Sequence, residues 1–353
     1  MQKLKKKIIR ILLLVIITYI CISLVGVFVA TQIIFGRNEL KAYSIALVYS
    51  DIEVEKYPRE TIEFYSNQVK LQGHIYGHDG DEKGVIIIAH GISGGADSHL
   101  QEIMKFVDAN WCVFVFDGTG SRESGGWGIR GLPQTKLDLR KVLEYLNNRE
   151  DLKDLPVCLY GHSMGGYAVT AVLDSNYDIT AVVSVAGFNE PLGIIFQKME
   201  SYIGPIAYLE YPFMALYEYI IFGADANTTA IEGINKSNVP VLLIYGTDDK
   251  VVPHDEVGVW AYKHEITNPN VRFFERNTYY CNGHDTLWLS QAAGFYMAVK
   301  QDELNMLHIQ YGQKIPHDVH QEFVNGVDKF KISELDEDYI KTVIDFFDDH
   351  RPK

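Results

Sequence analysis

The stretch "CLYGHSMGGYAV", residues 158–169, decides how the rest of the chain is interpreted. An apolar run leads into Ser163, which is flanked by glycines, and a second apolar run follows. Gly161-His162-Ser163-Met164-Gly165 fits the pattern G-x-S-x-G, in which a serine lies on a sharp turn between a strand and a helix. Glycines are needed there because the strained turn leaves no room for side chains. The stretch therefore predicts that Ser163 is a nucleophile presented at the end of a buried strand.

Short apolar, β-branched runs recur on both sides of this motif and end in Gly, Ser, His or Asp. They occupy residues 83–91, 111–118, 155–163, 180–187 and 239–249. Runs that are apolar on both faces are typical of strands covered on both sides. In open sheets of parallel strands, the ligand crevice lies at the carboxyl ends of the strands, which is where the polar residues of these runs collect.

Helical and hairpin patterns surround those runs. Residues 134–148 carry one apolar stripe, residues 333–350 carry another with Ser333 as the expected N-cap, and residues 60–77 alternate around a turn at Asn67. Strands that alternate with helices predict an α/β fold, with a mostly parallel central sheet and helices on both faces.

A serine hydroxyl is a poor nucleophile unless a base and an orienting acid accompany it, in the chain order Ser, Asp or Glu, His. "YGTDDKVVP", residues 245–253, places Asp248 and Asp249 just past a predicted strand. "CNGHDTLW", residues 281–288, places His284 in a loop that contains glycine. The order matches, and the residues alone leave open which aspartate is the acid.

With these motifs, the chain resembles the α/β-hydrolase superfamily over about residues 60–350, in its serine-hydrolase branch of esterases, lipases and S33 peptidases. The resemblance implies an α/β-hydrolase fold and assigns the acid to Asp249. In relatives the acid commonly lies three residues after a glycine and is followed by two residues and then Val-Pro. Gly246, Asp249 and Val252-Pro253 fit that spacing. The alternative interpretation of Asp248 is a turn-capping aspartate, as such residues often are. The resemblance also implies that His284 is the base. It also implies an oxyanion hole made by the backbone amides of Met164 and Ile92, the latter in "AHGISGG", residues 89–95.

One loop departs from the family pattern. In "DGTGSRESGG", residues 117–126, Thr119 stands where the family usually has arginine, and Arg122 stands where it usually has glycine. The departure affects the expected conformation of this loop and its partners, and leaves the three catalytic positions untouched.

An insertion at about residues 188–238 separates two of the predicted strands. Its central part, residues 194–223, is dense in Tyr, Phe, Ile and Met and predicts a helical lid. Three interpretations stay open: an apolar pocket for an acyl chain, ordinary packing of a helical cap, and tyrosines that lie at a membrane interface.

The N-terminus differs from the rest in composition. Lys3, Lys5, Lys6, Lys7 and Arg10 precede an uncharged, apolar run from Ile11 to Phe35, which is long enough to cross a bilayer. A cleaved signal peptide is the alternative, but its apolar region is usually only about 7–15 residues long. We therefore predict a single-pass anchor in the cell membrane, with a cytoplasmic N-terminus and an extracytoplasmic catalytic domain. The predicted units are residues 1–35 as tip and anchor, 36–59 as a stalk, and 60–353 as the hydrolase domain.

The net charge is −14, and the chain beyond residue 35 carries −19, because residues 1–35 contain five basic and no acidic residues. A body this acidic should repel nucleic acid. His308, His317 and His320 lack the companion ligands of a metal site, so we expect neither metal nor cofactor.

These features predict a membrane-anchored serine hydrolase that cleaves an ester or thioester of a small-molecule or lipid-like acyl substrate, through an acyl-enzyme intermediate. The alternatives are a membrane-anchored serine peptidase and a catalytically silent hydrolase fold that serves as a binding module.

Overall fold

The computed structural model describes residues 1–41, 43–312 and 314–352. Within these residues, one sheet has the strand order β1-β2-β4-β3-β5-β6-β7-β8. The strands are β1 (Arg59–Ser66), β2 (Val69–Tyr76), β3 (Val85–Ala89), β4 (Cys112–Phe116), β5 (Val157–His162), β6 (Ala181–Val185), β7 (Val241–Gly246) and β8 (Val271–Arg276).

The predicted fold class is confirmed. β1 and β2 form an antiparallel hairpin whose turn contains Asn67 at φ 54°, and β2 pairs antiparallel with β4. All pairings from β4 through β3 to β8 are parallel. The five apolar runs that the sequence analysis predicted as strands contain β3 to β7, and all residues of these strands are buried. The sequence analysis missed β8 because this edge strand has charged residues and only Arg276 is buried, so it lacks an apolar run.

α-Helices lie between and around the strands. They are α1 (Gln2–Ile34), α2 (Leu100–Asp108), α3 (Gln134–Asn147), α4 (Met164–Ala171), α5 (Pro191–Ile203), α6 (Ala207–Phe222), α7 (Ala230–Lys236), α8 (Gln291–Tyr311), α9 (His317–Asn325), α10 (Lys329–Ile332) and α11 (Glu337–His350). The expectation that Ser333 caps the last helix was wrong. Asp336 is the N-cap of α11, and its carboxylate accepts a hydrogen bond from the Tyr339 N–H.

Two apolar cores cover the two faces of the sheet. Residues of α3, α4 and α7 pack on one face, as with Leu139, Ala168 and Ile234. Residues of α2 and α11 pack on the other, as with Phe106 and Phe347. Coverage on both sides explains why β3 to β7 are apolar throughout.

The predicted lid and stalk differ in how they relate to this core. The insertion between β6 and β7 contains α5, α6 and α7, so its central part is helical as expected. The segment 36–59 does not stand apart as a stalk, because Leu47, Ile52 and Tyr57 are buried in the core beside α2 and α11. Within the described residues, α1 is the one helix long and apolar enough to cross a membrane.

Candidate active site

Ser163 lies on the tight turn between β5 and α4. Its backbone has φ 56° and ψ −114°, and its N–H donates to the Val185 carbonyl at 2.8 Å. A positive φ is costly for a residue with a side chain and persists only where the surroundings impose it. The strain directs the Ser163 side chain away from the strand at the carboxyl edge of the sheet, as the sequence pattern predicted.

The neighbouring glycines are required by close backbone approach. A Cβ at Gly165 would collide with the Ala89 carbonyl group of β3, and a Cβ at Gly161 would collide with the Gly165 carbonyl oxygen. Backbone atoms cannot move aside as a flexible side chain can, so the turn closes only with glycine at both positions.

The structure brings Ser163, His284 and Asp249 together, although His284 is 121 residues from Ser163 along the chain. His284 Nδ1 lies 2.8 Å from Asp249 Oδ2, and His284 Nε2 lies 2.9 Å from Ser163 Oγ. Because a carboxylate only accepts, Nδ1 carries the proton and Nε2 is left to accept from the serine hydroxyl. This is the arrangement in which a histidine can take the serine proton.

The two adjacent aspartates have different environments. Asp249 is 5% exposed, and its Oδ1 accepts hydrogen bonds from the N–H groups of Val251 and Val252, each at 2.8 Å. These two bonds hold the carboxylate so that Oδ2 faces His284. The Asp248 side chain is 60% exposed and pairs with Lys250 at 2.5 Å.

The backbone amides of Ile92 and Met164 are available as donors beside Ser163. Within the described part of the chain, neither N–H donates to a protein acceptor. Met164 is the first residue of α4, where a helix has no internal partner for its N–H groups. The Ile92 loop is close, because a Cβ on Gly91 would lie 3.4 Å from Ser163 Cβ. Two free amides next to a nucleophile can bind a developing oxyanion.

His162 holds the backbone of the His284 loop. Its Nε2 lies 3.1 Å from the His284 carbonyl oxygen, to which it must donate, and its ring packs edge-on against Trp288 at 4.8 Å. Burial, with His284 and His99 nearby, keeps the pKa of His162 well below its usual value, so the ring is neutral. The sequence analysis left this contact out because nothing local in the sequence joins positions 162 and 284.

His90 orders the turn that carries Ile92. Its Nδ1 donates to the Gly91 carbonyl at 2.7 Å, and its Nε2 accepts from the Gly118 N–H at 3.0 Å. Burial lowers the pKa of His90 to about 4, which keeps Nε2 free to accept. His90 thereby fixes the loop that carries Ile92 to the loop that follows β4.

The loop that departs from the family pattern is held by its unusual residues. Thr119 donates from its N–H and its hydroxyl to the Asp138 carboxylate, at 2.7 and 2.9 Å. Arg122 has φ 46°, a conformation that glycine adopts more easily, and it donates to the Ser93 carbonyl at 3.1 Å. Arg122 therefore holds the loop after β3 directly, whereas Thr119 fixes its own loop to α3.

A cavity of about 340 Å³ opens at Ser163. Its wall is apolar on nearly all sides and comes from α1, the start of α4, α5, α6 and the loops after β3, β4, β6 and β7. The residues are Val27, Ala30, Thr31, Ile34, Phe35, Ile92, Leu132, Ser163, Met164, Phe188, Ile194, Ile195, Lys198, Met199, Tyr202, Met214 and Val251. A concave, mostly apolar site with few polar groups is typical of small-molecule binding.

Three side chains near the nucleophile have potential metal-ligand atoms within 4.8 Å of one another: His162, His284 and Asp285. They do not fit a metal, because both His284 nitrogens are taken by Asp249 and Ser163, and His162 Nε2 must carry a proton to donate to the carbonyl oxygen. The arrangement suits proton transfer at Ser163 better than metal binding.

Residues 80–205 match the family model described as serine aminopeptidase, S33. Protein YqkD of Bacillus subtilis is 28% identical over 191 residues, which are 51% of this chain and 59% of that protein. A monoacylglycerol lipase of Mycolicibacterium smegmatis is 31% identical over 105 residues, 29% of this chain and 37% of the relative. The chain thus spans less than two thirds of the length of these relatives.

The likeness to solved structures extends over more of the chain. The esterase Pf2001 of Pyrococcus furiosus superposes with a TM-score of 0.55 at 16% identity, over 89% of this chain and 100% of that one. The sheet order, the turn at Ser163 and this likeness show that the chain has an α/β-hydrolase fold. The chain is similar in structure to an esterase, and in sequence to a lipase and to the S33 aminopeptidase family.

Proposed function

We propose that the protein is a membrane-anchored serine hydrolase that cleaves carboxylic esters or thioesters by acyl transfer through Ser163. The observation that carries the ester assignment is the cavity beside the serine. Among the described residues that line it, none is an aspartate or glutamate, and Lys198 is the one charged side chain.

The lining separates the two candidate substrate classes. An aminopeptidase must bind the positively charged amino terminus of its substrate, for which a carboxylate is the natural partner. Here a cation would meet Lys198 and no carboxylate among the described lining residues, so burying it would be unfavourable. An acyl chain needs only apolar contact and would gain from the same lining. The S33 family match keeps a serine peptidase as the second candidate.

The proposed reaction has two steps. His284 accepts the Ser163 proton while Oγ attacks the substrate carbonyl carbon, and the amides of Ile92 and Met164 bind the oxyanion. His284 then gives the proton to the leaving alcohol or thiol, and an acyl-serine ester remains. Water, deprotonated by His284, then attacks the carbonyl carbon of this ester. The bond from that carbon to Ser163 Oγ breaks, His284 returns the proton to Oγ, and the acid leaves. Asp249 holds the histidine in the required tautomer throughout.

The membrane anchor is part of the proposal. α1 is 33 residues long and has a mean hydropathy of 2.9 over its most apolar window, with basic residues only before Ile11. Five residues of α1 and its end also line the cavity at Ser163, which favours a retained anchor over a cleaved signal peptide. The excess of basic residues before α1 favours a cytoplasmic N-terminus and an extracytoplasmic catalytic domain.

The test uses the full chain in detergent micelles, with p-nitrophenyl esters of graded acyl length and an aminoacyl p-nitroanilide as substrates. We expect ester turnover by the wild type, none above background by Ser163→Ala, and covalent labelling of the wild type by a fluorophosphonate. Ser93→Ala is the matched control, because Ser93 is exposed in the neighbouring loop and its hydroxyl makes no hydrogen bond within the described residues.

The outcomes separate the alternatives. Turnover of the anilide alone, lost in Ser163→Ala, would replace the esterase by the peptidase. A folded protein with neither turnover nor labelling would favour the binding module. Ester turnover that survives in Ser163→Ala would remove the serine from the mechanism.

A further inference from the structure

The end of α1 is fixed to the catalytic domain by backbone hydrogen bonds. The Phe35 carbonyl accepts from the Ile129 N–H at 2.8 Å, and the Asn38 N–H donates to the Gly120 carbonyl at 2.8 Å. The Asn38 side chain donates to the Gly94 carbonyl at 2.7 Å, which belongs to the loop that carries Ile92. A flexible tether would make no such contacts, so α1 has a set position relative to the nucleophile.

Further up the helix, α1 packs along the lid helix α6. Tyr19 donates from its hydroxyl to Glu210 Oε1 at 3.1 Å, and Ser23 donates to the same oxygen at 3.1 Å. Gln32 donates to the Tyr217 hydroxyl at 3.3 Å. These contacts extend over about 20 Å of helix, at a rise of about 1.5 Å per residue. In these contacts the polar side chains of α1 and α6 satisfy one another's hydrogen-bonding groups, as side chains at membrane depth must.

The outer surface of the lid is apolar without interruption. Between residues 202 and 222, every exposed side chain is aliphatic, aromatic or proline, including Tyr208 at 62%, Leu209 at 61% and Ile220 at 68% exposure. Of the two acids in this range, Glu210 pairs with α1 and Glu218 is buried. Soluble surfaces rarely carry so continuous an apolar patch, and here it is continuous with α1. A bilayer that α1 crosses would cover both the apolar outer surface of the lid and α1.

The cavity lies between these two apolar helices and the nucleophile. Its buried end contains Ser163 and Met164, whereas its exposed lining includes Ala30 and Ile34 of α1 and Tyr202 of α5. The Thr31 hydroxyl is already bonded to the Val27 carbonyl of its own helix at 2.6 Å. A chain that leaves Ser163 along this cavity therefore meets a mostly apolar wall, with Lys198 as the one charged side chain among the described lining residues, until it reaches the lipid-facing side of α1.

We propose that α1 is part of the substrate site, and that the cavity takes the acyl chain of a single-chain lipid ester directly from the bilayer that α1 crosses. The inference rests on the proposed ester hydrolysis and names its substrate class and its source. One chain is specified because the cavity, at about 340 Å³, is near the small end of ligand pockets.

The first test compares two valines of α1. Val27 lines the cavity and is 9% exposed, whereas Val29 is 47% exposed and lies on about the opposite side of the helix. We compare Val27→Trp, Val27→Ala and Val29→Trp in the full chain in micelles. The readout is the ratio of kcat/KM for the palmitoyl and butyryl p-nitrophenyl esters.

The expected ratio falls at least tenfold in Val27→Trp, rises in Val27→Ala because the cavity lengthens, and stays within twofold of the wild type in Val29→Trp. Labelling by the fluorophosphonate reports whether each variant has an assembled site. Equal ratios in labelled Val27→Trp and Val29→Trp would overturn the proposal. If Val27→Trp is not labelled, an unchanged ratio in labelled Val27→Ala would overturn it instead.

The second test asks where the substrate comes from. The wild type is reconstituted in phosphatidylcholine vesicles, and 4-methylumbelliferyl oleate is placed either in the same vesicles or in a separate population. We expect an initial rate at least tenfold higher when enzyme and ester share a bilayer, and equal rates would refute bilayer delivery. Loss of the proposed function itself would be recognised separately, because the wild type would then neither hydrolyse any ester nor be labelled.

Discussion

Replacing Asp249 by asparagine should disable the histidine by changing its tautomer. The substitution keeps the size of the side chain, and Oδ1 of Asp249 already accepts from the N–H groups of Val251 and Val252. Asparagine has one oxygen, and both amides require it. The new NH₂ group must therefore face His284 Nδ1, which has to give up its proton and accept. Nε2 then carries the proton and can no longer accept from Ser163, which lies 2.9 Å away.

The size of the effect follows from that reversal. A triad whose histidine is held in the wrong tautomer loses about 10⁴ in kcat. At about 1.36 kcal/mol for each factor of ten, the loss corresponds to about 5 kcal/mol of transition-state stabilisation. KM should change little, because Asp249 is not among the residues that line the cavity at Ser163.

The neighbouring aspartate provides the matched control. Asp248→Asn removes one charge from an adjacent position, but the Asp248 side chain is 60% exposed and, within the described residues, pairs with Lys250 alone. An exposed pair contributes about 0–1 kcal/mol to stability, so kcat should stay within about twofold of the wild type. Both variants are assayed with p-nitrophenyl butyrate at pH 8, beside the wild type and Ser163→Ala.

The result that would refute this reasoning is specific. If Asp249→Asn retains more than a tenth of the wild-type kcat, the carboxylate does not set the tautomer. If Asp248→Asn loses as much as Asp249→Asn, the loop has been disturbed and the hydrogen bonds described here do not explain the loss. Equal melting temperatures of the two variants would show that any difference in kcat is chemical.

Three further predictions concern the surroundings of the serine. Ile92→Pro removes an amide that donates to no acceptor within the described residues, and should lower kcat by about 10²–10³ in the same ester assay. Ile92→Val keeps the amide and should lose far less of its kcat. Equal losses in the two variants would exclude the amide as an oxyanion donor. Burial lowers the pKa of His90 to about 4, so between pH 6.5 and 4 the unfolded chain binds a proton that the folded chain does not, and stability falls as the pH falls. Between pH 7 and pH 5, the free energy of unfolding should therefore fall by about 2 kcal/mol less in His90→Gln than in the wild type, as measured by denaturant unfolding. The same pH dependence in both proteins would contradict the lowered pKa of His90. Gly165→Ala should destabilise the fold by about 3 kcal/mol or more because its Cβ meets the Ala89 carbonyl, whereas Gly283→Ala, whose Cβ would lie 3.4 Å from Thr286 Oγ1, should change the melting temperature little.

Much of the fold could be predicted from the sequence because β3 to β7 are covered on both faces. Such strands must be apolar throughout, and that composition is visible without alignment or structure. The edge strand β8 escaped because exposure removes the constraint. The candidate site was accessible for a related reason: Ser163 and Asp249 follow strand ends, and parallel strands bring their carboxyl ends to one edge.

The choice between Asp248 and Asp249 shows the limit of such reasoning. Both residues follow β7, and nothing in their composition distinguishes them. What separates them is the direction of each side chain relative to the loop after β8, and this depends on backbone angles that single-residue propensities do not encode. The contact between His162 and His284 escaped for the same reason, since it joins a side chain to a carbonyl 122 residues away.

The wall that α1 contributes to the cavity is harder still to predict, because it depends on packing between elements far apart in the chain. The hydrogen bonds from Tyr19 to α6 span about 190 residues. In the sequence, Ile11 to Phe35 satisfies the composition of a membrane anchor, and residues 194–223 satisfy that of a lid. Each pattern is complete by itself, so neither indicates that the two are parts of one pocket. Apolar composition shows that the surface of a helix avoids water, but it does not show which element packs against that surface. Here the packing of α1 on α6 is specified by the few polar side chains that hydrogen-bond across it, Tyr19, Ser23 and Glu210.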